Sequence, residues 1–583
     1  MVQQSAAHGL PRVTLDGFGE LEGDLVDGVA RFLAVPFAAP PLGELRWKPP
    51  RPPLPWEGVR GNPKQLARCP QPSPKRRTFK GRELRDTEDC LVLNVWAPLE
   101  ALPASGAEAK QVDLRPTIVY IHGGGGKFNS AHQPPESGLE LARRHRLCCF
   151  HINYRLGVFG FLAHPSLSKE DEDADAGGIA GSGNYAILDQ LEALRWVQRR
   201  ASSFGGDPNR VTLWGLSSGA QYVSTLLVSP QAQDLFHRVF VQSCADVGNV
   251  RKLRSSSDIW LGRSAEEWGC ELGEQLGCPR GPEQLEAMRR LSAEAVVRET
   301  MHPSASDCYE PTIDSRSSVR SAKPASSLEA LVAGRAYRVP VMLGFTAQDG
   351  LGKVELEHTI FKESDITDMQ GFRTLLTREF GAAALEALAH YEQVVPMFSG
   401  SGSAPAEALR VRRLLGAISD DMWYFAGTRH MADLLAGSAG AAPVFLYSFE
   451  GLRRSEHGDD ITFWRGIAPV LVATKMAEYL AHFAASGDPN GPDLPEWSAH
   501  LPGSASVMGL GPRIGMRAVD DEDRERHAFL VREYFSKRLP SELRRGEPSS
   551  DSAAPSVCPA LAADVDGEAG AAATPLGKRV RRE

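Results

Sequence analysis

The stretch VTLWGLSSGA, residues 211 to 220, constrains this chain more than any other. An apolar, β-branched run from Val211 to Trp214 meets Gly215-Leu216-Ser217-Ser218-Gly219, and the residues from Ala220 to Val228 suit a helix. A G-x-S-x-G pentapeptide between a strand and a helix predicts a sharp turn that lifts the Ser217 hydroxyl off the end of a sheet. Such a turn forces Ser217 into a strained backbone conformation. Glycines two before and two after it leave room for the strand and helix to approach. The helix start also brings backbone N–H groups and a positive dipole end beside any negative charge that develops at the serine. Alone, the pentapeptide would fit an ordinary Ser/Gly loop. Its flanking patterns set this one apart.

The rest of the chain supplies a matching scaffold. Residues 13 to 38 alternate short apolar runs with Gly and Asp turns and read as β-structure. PPLGELRWKPPRPPLPW is too rich in proline for a helix or a central strand, so it reads as an extended surface strap. Residues 70 to 87 read as a polar, basic loop. LVLNVWA, TIVYIHG and LCCFHINY follow as strand-length runs; the second and third are apolar on both faces, as strands covered by helices should be. LELARRH and YAILDQLEALRWVQRRA are helical. In the second, Ile187, Leu191, Leu194 and Val197 recur at helical spacing. With VTLWG, FHRVFVQS, VPVMLGF and VFLYSFE added, the alternation predicts an α/β fold with a mostly parallel sheet. Residues 250 to 335 read as helices inserted above that sheet, and TKMAEYLAHFAASG as an amphipathic helix. FLVREYFSKRL ends the packed region. A catalytic-size domain over residues 1 to 540 is therefore expected, followed by a low-complexity tail over 541 to 583 whose Ala, Pro, Ser and Gly content cannot repay ordering.

Composition excludes several functions. Net charge is −8, so nothing global favours a nucleic-acid partner. No apolar run reaches membrane-spanning length, so no integral membrane segment is expected. The N-terminus has neither a basic region nor an apolar core typical of a secretory signal, which favours a cytoplasmic location. The nine cysteines are spread thinly. Cys148 and Cys149 read as buried thiols. Cys69 with Cys90, and Cys270 with Cys278, are candidate local disulfides in an oxidising compartment; otherwise they are free thiols.

A serine nucleophile needs a base, and the base an orienting carboxylate. Asp349, in LGFTAQDGLG, follows the strand VPVMLGF. His457, in SEHGDD, follows VFLYSFE. Both lie in loops beyond the carboxyl ends of strands, where open α/β sheets place their chemistry. Asp459 and Asp460 are too close to His457 in sequence to orient its ring and suit a turn. TIVYIHGGGGKF ends a strand in His122 and four glycines, Gly123 to Gly126. Glycines let backbone N–H groups converge on one point, so the amides of Gly124, Gly125 and Ser218 are the candidate oxyanion donors. A phosphate-binding loop would instead need Ser or Thr after the lysine, and Phe128 follows Lys127.

On these and further stretches the chain resembles the type-B carboxylesterase/cholinesterase family. FLAVPFAAPPLGELRWKPP, EDCLVLNVWAP, IVYIHGGGG, NYRLGVFGFLA, GNYAILDQLEALRWV, FGGDPNRVTLWG, FHRVFVQS and FAASGDPNGPDLPEW occur in the family's order, over roughly residues 12 to 538. The resemblance implies an α/β-hydrolase fold: a large, mostly parallel sheet flanked by helices, with inserted helices over an active-site gorge. It implies hydrolysis of small-molecule carboxylic esters through an acyl-enzyme, with no metal or organic cofactor, by a triad of Ser217, Asp349 and His457. It implies a disulfide between Cys69 and Cys90, with Cys270 and Cys278 where a second often lies, and buried ion pairs Arg46–Glu88 and Arg155–Asp189.

The chain departs from the pattern at several points. Leu216 and Ser218 flank the nucleophile where Glu and Ala are usual. The triad acid is Asp349 rather than Glu. Gly126 and Lys127 stand where an aromatic residue often follows the glycines. The loop between Cys69 and Cys90 has no Trp for a cation–π contact, but Lys75, Arg76, Arg77 and Lys80, so a choline ester is not expected. The alternative readings are a binding domain with a vestigial pocket, or acyl transfer, lactone or amide cleavage by the same residues.

Overall fold

The structure is a computed structural model. It describes residues 10–72, 78–79, 82–103, 113–132, 138–173, 180–243, 245, 253, 264–300, 310–314, 321–347, 366–395, 404–450, 457–468 and 471–544. Its centre is an 11-stranded sheet. In chain order the strands are β1 (Asp24–Val26), β2 (Val29–Pro36), β3 (Val92–Pro98), β4 (Arg115–Ile121), β5 (Cys148–Ile152), β6 (Gly206–Leu216), β7 (Arg238–Gln242), β8 (Val341–Thr346), β9 (Val444–Phe449), β10 (Ser506–Leu510) and β11 (Gly515–Ala518). Across the sheet they run β1-β2-β3-β5-β4-β6-β7-β8-β9-β10-β11. From β5 to β10 every neighbouring pair is parallel. The antiparallel pairs are confined to the two ends. The expected α/β architecture with a mostly parallel sheet is what the chain forms.

Alternation along the central strands explains why both faces are dry. On β4, Val119 and Ile121 face one apolar layer while Ile118 and Tyr120 face the other. Leu213 and Trp214 of β6, and Val239 and Phe240 of β7, divide in the same way. Helices α1 (Leu139–His145), α2 (Tyr185–Arg200), α3 (Ser218–Val228) and α4 (Leu471–Ser486) supply the covering layers. Ile187, Leu191 and Leu194 of α2 and Val223 and Leu226 of α3 join the first layer. Leu139 and Leu141 of α1 and Met476, Leu480 and Phe483 of α4 join the second. Such two-sided burial is what continuous Val/Ile/Leu strands require.

The N-terminal β-structure appears as read; the proline-rich strap is extended, but it is not all surface, since Arg46 and Trp47 are buried and Trp47 Nε1 donates to the Val158 carbonyl at 2.9 Å. Between Pro36 and Val59 the strap holds no regular element beyond a short turn at Gly43–Leu45. A second reading is corrected. Residues 70 to 87 are not loop throughout, because Arg82–Asp86 pairs parallel with Gln65–Arg68 in a separate small sheet. Leu84 is the anchor: it is buried against Leu66 while its charged neighbours on the strand are more exposed, an alternation that net basic character obscured. Arg82 of that strand donates to Asp24 at 2.9 Å, so part of the loop's charge is neutralised locally. The inserted region contains helices Ala265–Gln275, Gln284–Arg289, Ala293–Glu299 and Ser327–Val332. Ser541–Arg544 form a short helical turn, with Leu543 packed on the core; residues 545 to 583 lie outside the described residues. Cys69, Cys90, Cys270 and Cys278 are buried and unbridged, as are Cys148 and Cys149. Among the described residues no helix is long and apolar enough to cross a membrane.

Candidate active site

The parallel sheet brings the carboxyl ends of β4, β6 and β7 to one edge. β6 ends at Leu216 and α3 starts at Ser218, leaving Ser217 alone between strand and helix. Its backbone is at φ 59°, ψ −127°, a conformation costing a non-glycine residue about 1–3 kcal/mol. The surroundings over-determine it: the Ser217 N–H donates to the Gln242 carbonyl on β7 at 2.9 Å, and Ala220 N–H donates to the Ser217 carbonyl at 2.8 Å. A Cβ on Gly215 would lie 2.3 Å from the Gly219 carbonyl oxygen. One on Gly219 would lie 2.3 Å from that of Ile121, at the end of β4. The spacing glycines are therefore steric requirements, and Gly219 serves the approach of α3 to β4 rather than to β6.

His457 reaches this serine from 240 residues away. Its Nε2 lies 2.7 Å from Ser217 Oγ. The ring is half-buried and packs against Tyr424, with centroids 5.0 Å apart. Gly458, next along, has φ 79°, and a Cβ there would sit 3.7 Å from the Leu216 side chain. Leu216 thus adjoins the histidine turn. Asp349 lies outside the described residues; the strand before it, β8, ends at Thr346.

Sequence reasoning missed what lies beneath that turn. Asp460 does sit in a turn, but its side chain is fully buried. Its carboxylate accepts from Gln242 Nε2 at 2.7 Å, from the Tyr447 hydroxyl at 2.8 Å and from Trp464 Nε1 at 3.3 Å. Gln242 Oε1 in turn accepts from Trp214 Nε1 at 2.9 Å. The histidine turn and the nucleophile strand are therefore tied through one glutamine, whose own carbonyl holds the Ser217 N–H. Three bonds to a buried carboxylate satisfy a group that would otherwise be costly to desolvate. The only sequence signal was an acidic residue among aromatic ones, Trp464 and Phe463.

The glycine loop after β4 wraps the other side of the serine. A Cβ on Gly123 would lie 2.8 Å from Ser217 Cβ, so the loop and Ser217 are in direct contact. Gly124, Gly125 and Gly126 have φ of 122°, 62° and 68°, which only glycine adopts in succession without strain. The loop is tethered at its ends. Asn129 Nδ2 donates to the Gly123 carbonyl at 3.1 Å, and Gly157 N–H to the Gly126 carbonyl at 2.7 Å. The Gly124 carbonyl accepts from Lys127 and Phe128 N–H at 3.0 and 3.2 Å. Neither Gly124 N–H nor Gly125 N–H donates to another described residue. Below the loop, Tyr154 donates to the His122 carbonyl at 2.6 Å and stacks on the His122 ring at 4.4 Å. Burial pushes the His122 imidazole down to about 4 and holds the Tyr154 phenol well above its usual range, so both are neutral.

The two expected ion pairs are present. Arg155 grips Asp189 by Nε and Nη2, both at 2.7 Å, while its Nη1 donates to the Lys48 carbonyl of the strap. Arg46 takes Glu88 through Nε at 2.7 Å and Nη2 at 2.5 Å. Cys69 and Cys90 are neighbours beside these pairs. The Cys90 thiol is pushed up by Cys69 and by burial, and Cys69 Sγ accepts from Leu156 N–H at 3.1 Å. Lys127 is half-buried at the end of the glycine loop; Lys75, Arg76, Arg77 and Lys80 lie outside the described residues. Among the described residues no group of three or more His, Cys, Asp or Glu side chains is placed to hold a metal ion.

A serine at a strand–helix elbow, with a histidine on its hydroxyl and glycine amides beside it, defines a serine hydrolase of the α/β-hydrolase class. The profile of the carboxylesterase family matches residues 10–527, and the chain belongs to that family. It is 30% identical over 538 residues to a fumonisin B1 esterase from Sphingopyxis macrogoltabida, covering 87% of each chain. It is 30% identical over 520 residues to a pyrethroid hydrolase from Mus musculus, covering 81% of this chain and 82% of that one. Among solved structures it is similar to a carboxylesterase from Geobacillus stearothermophilus. That likeness has a TM-score of 0.69 and 28% identity, covering 88% of this chain and 99% of the other.

Proposed function

We propose that this protein hydrolyses carboxylic esters of small molecules through an acyl-enzyme formed on Ser217. The observation that carries the reading is the 2.7 Å approach of His457 Nε2 to Ser217 Oγ. That is the reach a general base needs to take a nucleophile's proton. Ser217 attacks the ester carbonyl as His457 removes its proton. The amides of Gly124, Gly125 and Ser218 receive the oxyanion. His457 then protonates the departing alcohol, and water repeats the sequence to release the acid. Asp349 is assigned as the carboxylate that fixes the imidazole tautomer, on its position after β8 and on the Ser–Asp–His chain order. The three bonds that the Asp460 carboxylate accepts from Gln242, Tyr447 and Trp464 support a structural role for it.

The test is fluorophosphonate labelling followed by peptide mass spectrometry, beside turnover of p-nitrophenyl esters graded by chain length and charge. The expected adduct is on Ser217, and Ser217→Ala should remain folded yet lose turnover to a residual level roughly a thousandfold or more above water. An adduct on another serine, or undiminished turnover in the variant, refutes the assignment.

A further inference from the structure

Ser218 does two separate things at this site. As the first residue of α3 it offers its N–H beside the nucleophile. Its side chain is 4% exposed, and its Oγ accepts the Gly126 N–H at 3.2 Å across 92 residues of sequence. A serine hydroxyl oxygen has lone pairs to accept with, and here it accepts the Gly126 N–H.

The loop needs such a restraint. Three successive glycines at positive φ offer little resistance to rotation of the peptide planes between them. The Gly126 carbonyl is fixed by Gly157, but its N–H has no acceptor other than Ser218 among the described residues. That N–H belongs to the Gly125–Gly126 peptide, next to the peptide that carries the Gly125 amide. If it is released, the plane can turn over and aim the Gly125 carbonyl, rather than amides, toward the space above Ser217. A carbonyl dipole there opposes a developing oxyanion.

We infer that the Ser218 hydroxyl is a positioning residue that locks the Gly125–Gly126 peptide and so fixes the glycine-loop amides relative to the Ser218 amide. The inference rests on the ester-hydrolase reading above and deepens it. One residue then sets the geometry between the two halves of the oxyanion site: its backbone forms one half and its side chain restrains the other. The ground-state ester gains little from that geometry and the tetrahedral intermediate gains most, so the clamp acts on kcat rather than on KM.

The experiment compares wild type, Ser218→Ala and Ser218→Thr with p-nitrophenyl acetate. It adds inhibition by an alkyl trifluoromethyl ketone, whose hemiketal oxyanion occupies the same space. Complete loss of one oxyanion donor costs on the order of a hundredfold, and a loosened loop less, so Ser218→Ala should lower kcat about tenfold. KM should stay within about twofold, the ketone should weaken by the same factor as kcat/KM, and the melting temperature should hardly move. Ser218→Thr keeps the hydroxyl and should recover most of the loss. Wild-type kcat and ketone affinity in Ser218→Ala would overturn the clamp, as would a kcat loss that leaves ketone affinity unchanged. Ser217→Ala, run alongside, separates the two levels. If it stays active, the ester-hydrolase reading and the clamp fall together. If it is dead while Ser218→Ala is normal, the clamp alone falls.

Discussion

Acid should destabilise this protein below pH 6.5, because histidines are buried in neutral form, among the described residues His122, His132, His151, His430 and His527. Burial lowers His122, His132, His430 and His527 from 6.5 to about 4. None of the four is more than 9% exposed. Between pH 6.5 and pH 4 the unfolded chain holds protons that the folded chain does not, so stability falls as pH falls through that window. From pH 7 to pH 5.5, each of these four withdraws on the order of 1 kcal/mol, and His151, which burial holds lower still, adds to the loss. Asp421 opposes them: burial raises its carboxyl to about 6, so the folded state gains a proton over the same interval and offsets part of the loss. The net loss, on the order of several kcal/mol, is a large share of the stability of an ordinary domain. Urea unfolding followed by tryptophan fluorescence at the two pH values measures it as a fall in midpoint at constant m. His430→Phe keeps the stack on Phe535, 5.2 Å away, and should reduce the pH slope. An equal or higher midpoint at pH 5.5 would refute the reasoning, as would a His430→Phe slope like the wild type's. His122 and His132 bracket the glycine loop, so ester turnover should be lost with the fluorescence change.

Three substitutions test the site itself. Asp349→Asn should lower turnover about ten-thousandfold with little effect on substrate binding, by presenting the wrong imidazole tautomer; near-normal kcat would require another acid. Leu216→Glu should place a carboxylate by the histidine turn, since Leu216 comes within 3.7 Å of a Cβ built on Gly458. That charge favours the imidazolium, so the acid limb of the kcat/KM profile should move to higher pH; superimposed profiles reject the argument. Asp460→Asn puts an amide N–H₂ among the Gln242, Tyr447 and Trp464 donors and should cost about 1–3 kcal/mol of stability, read from urea midpoints, with turnover falling as well.

The elements that sequence reading located are those whose pattern is local. β4, β5, α1, α2 and α3 were visible as apolar runs or helical periodicity, because each must bury a face against the sheet. The Ser217 turn was visible because steric limits permit only glycine at 215 and 219. What stayed hidden depends on partners far away in sequence. Gln242 and Asp460 look like a strand-end polar residue and a turn aspartate until β7 and the histidine turn are adjacent. Ser218 looks like an ordinary helix start until Gly126 is beside it. The short strand Arg82–Asp86 was hidden by its charge: only Leu84 faces the apolar side, and one buried residue makes no period.

The strained serine also explains why this chemistry sits on a wide parallel sheet. Ser217 at φ 59° would relax if the turn were held only by its own residues. It is held instead by strand β7 on one side, through the Gln242 carbonyl, and by the glycine loop of β4 on the other. Both strands pair in register with β6: Gly215 stands opposite Ile121 and Val241, so neither can slip without turning buried side chains out of their layers. Register is thereby converted into positional accuracy at the strand ends. Asp460 extends the same logic to His457, whose turn would otherwise be an ordinary surface loop, by anchoring it to the glutamine that already holds the nucleophile. Ser217, His457 and the glycine loop are then positioned by one rigid element, the carboxyl end of the sheet.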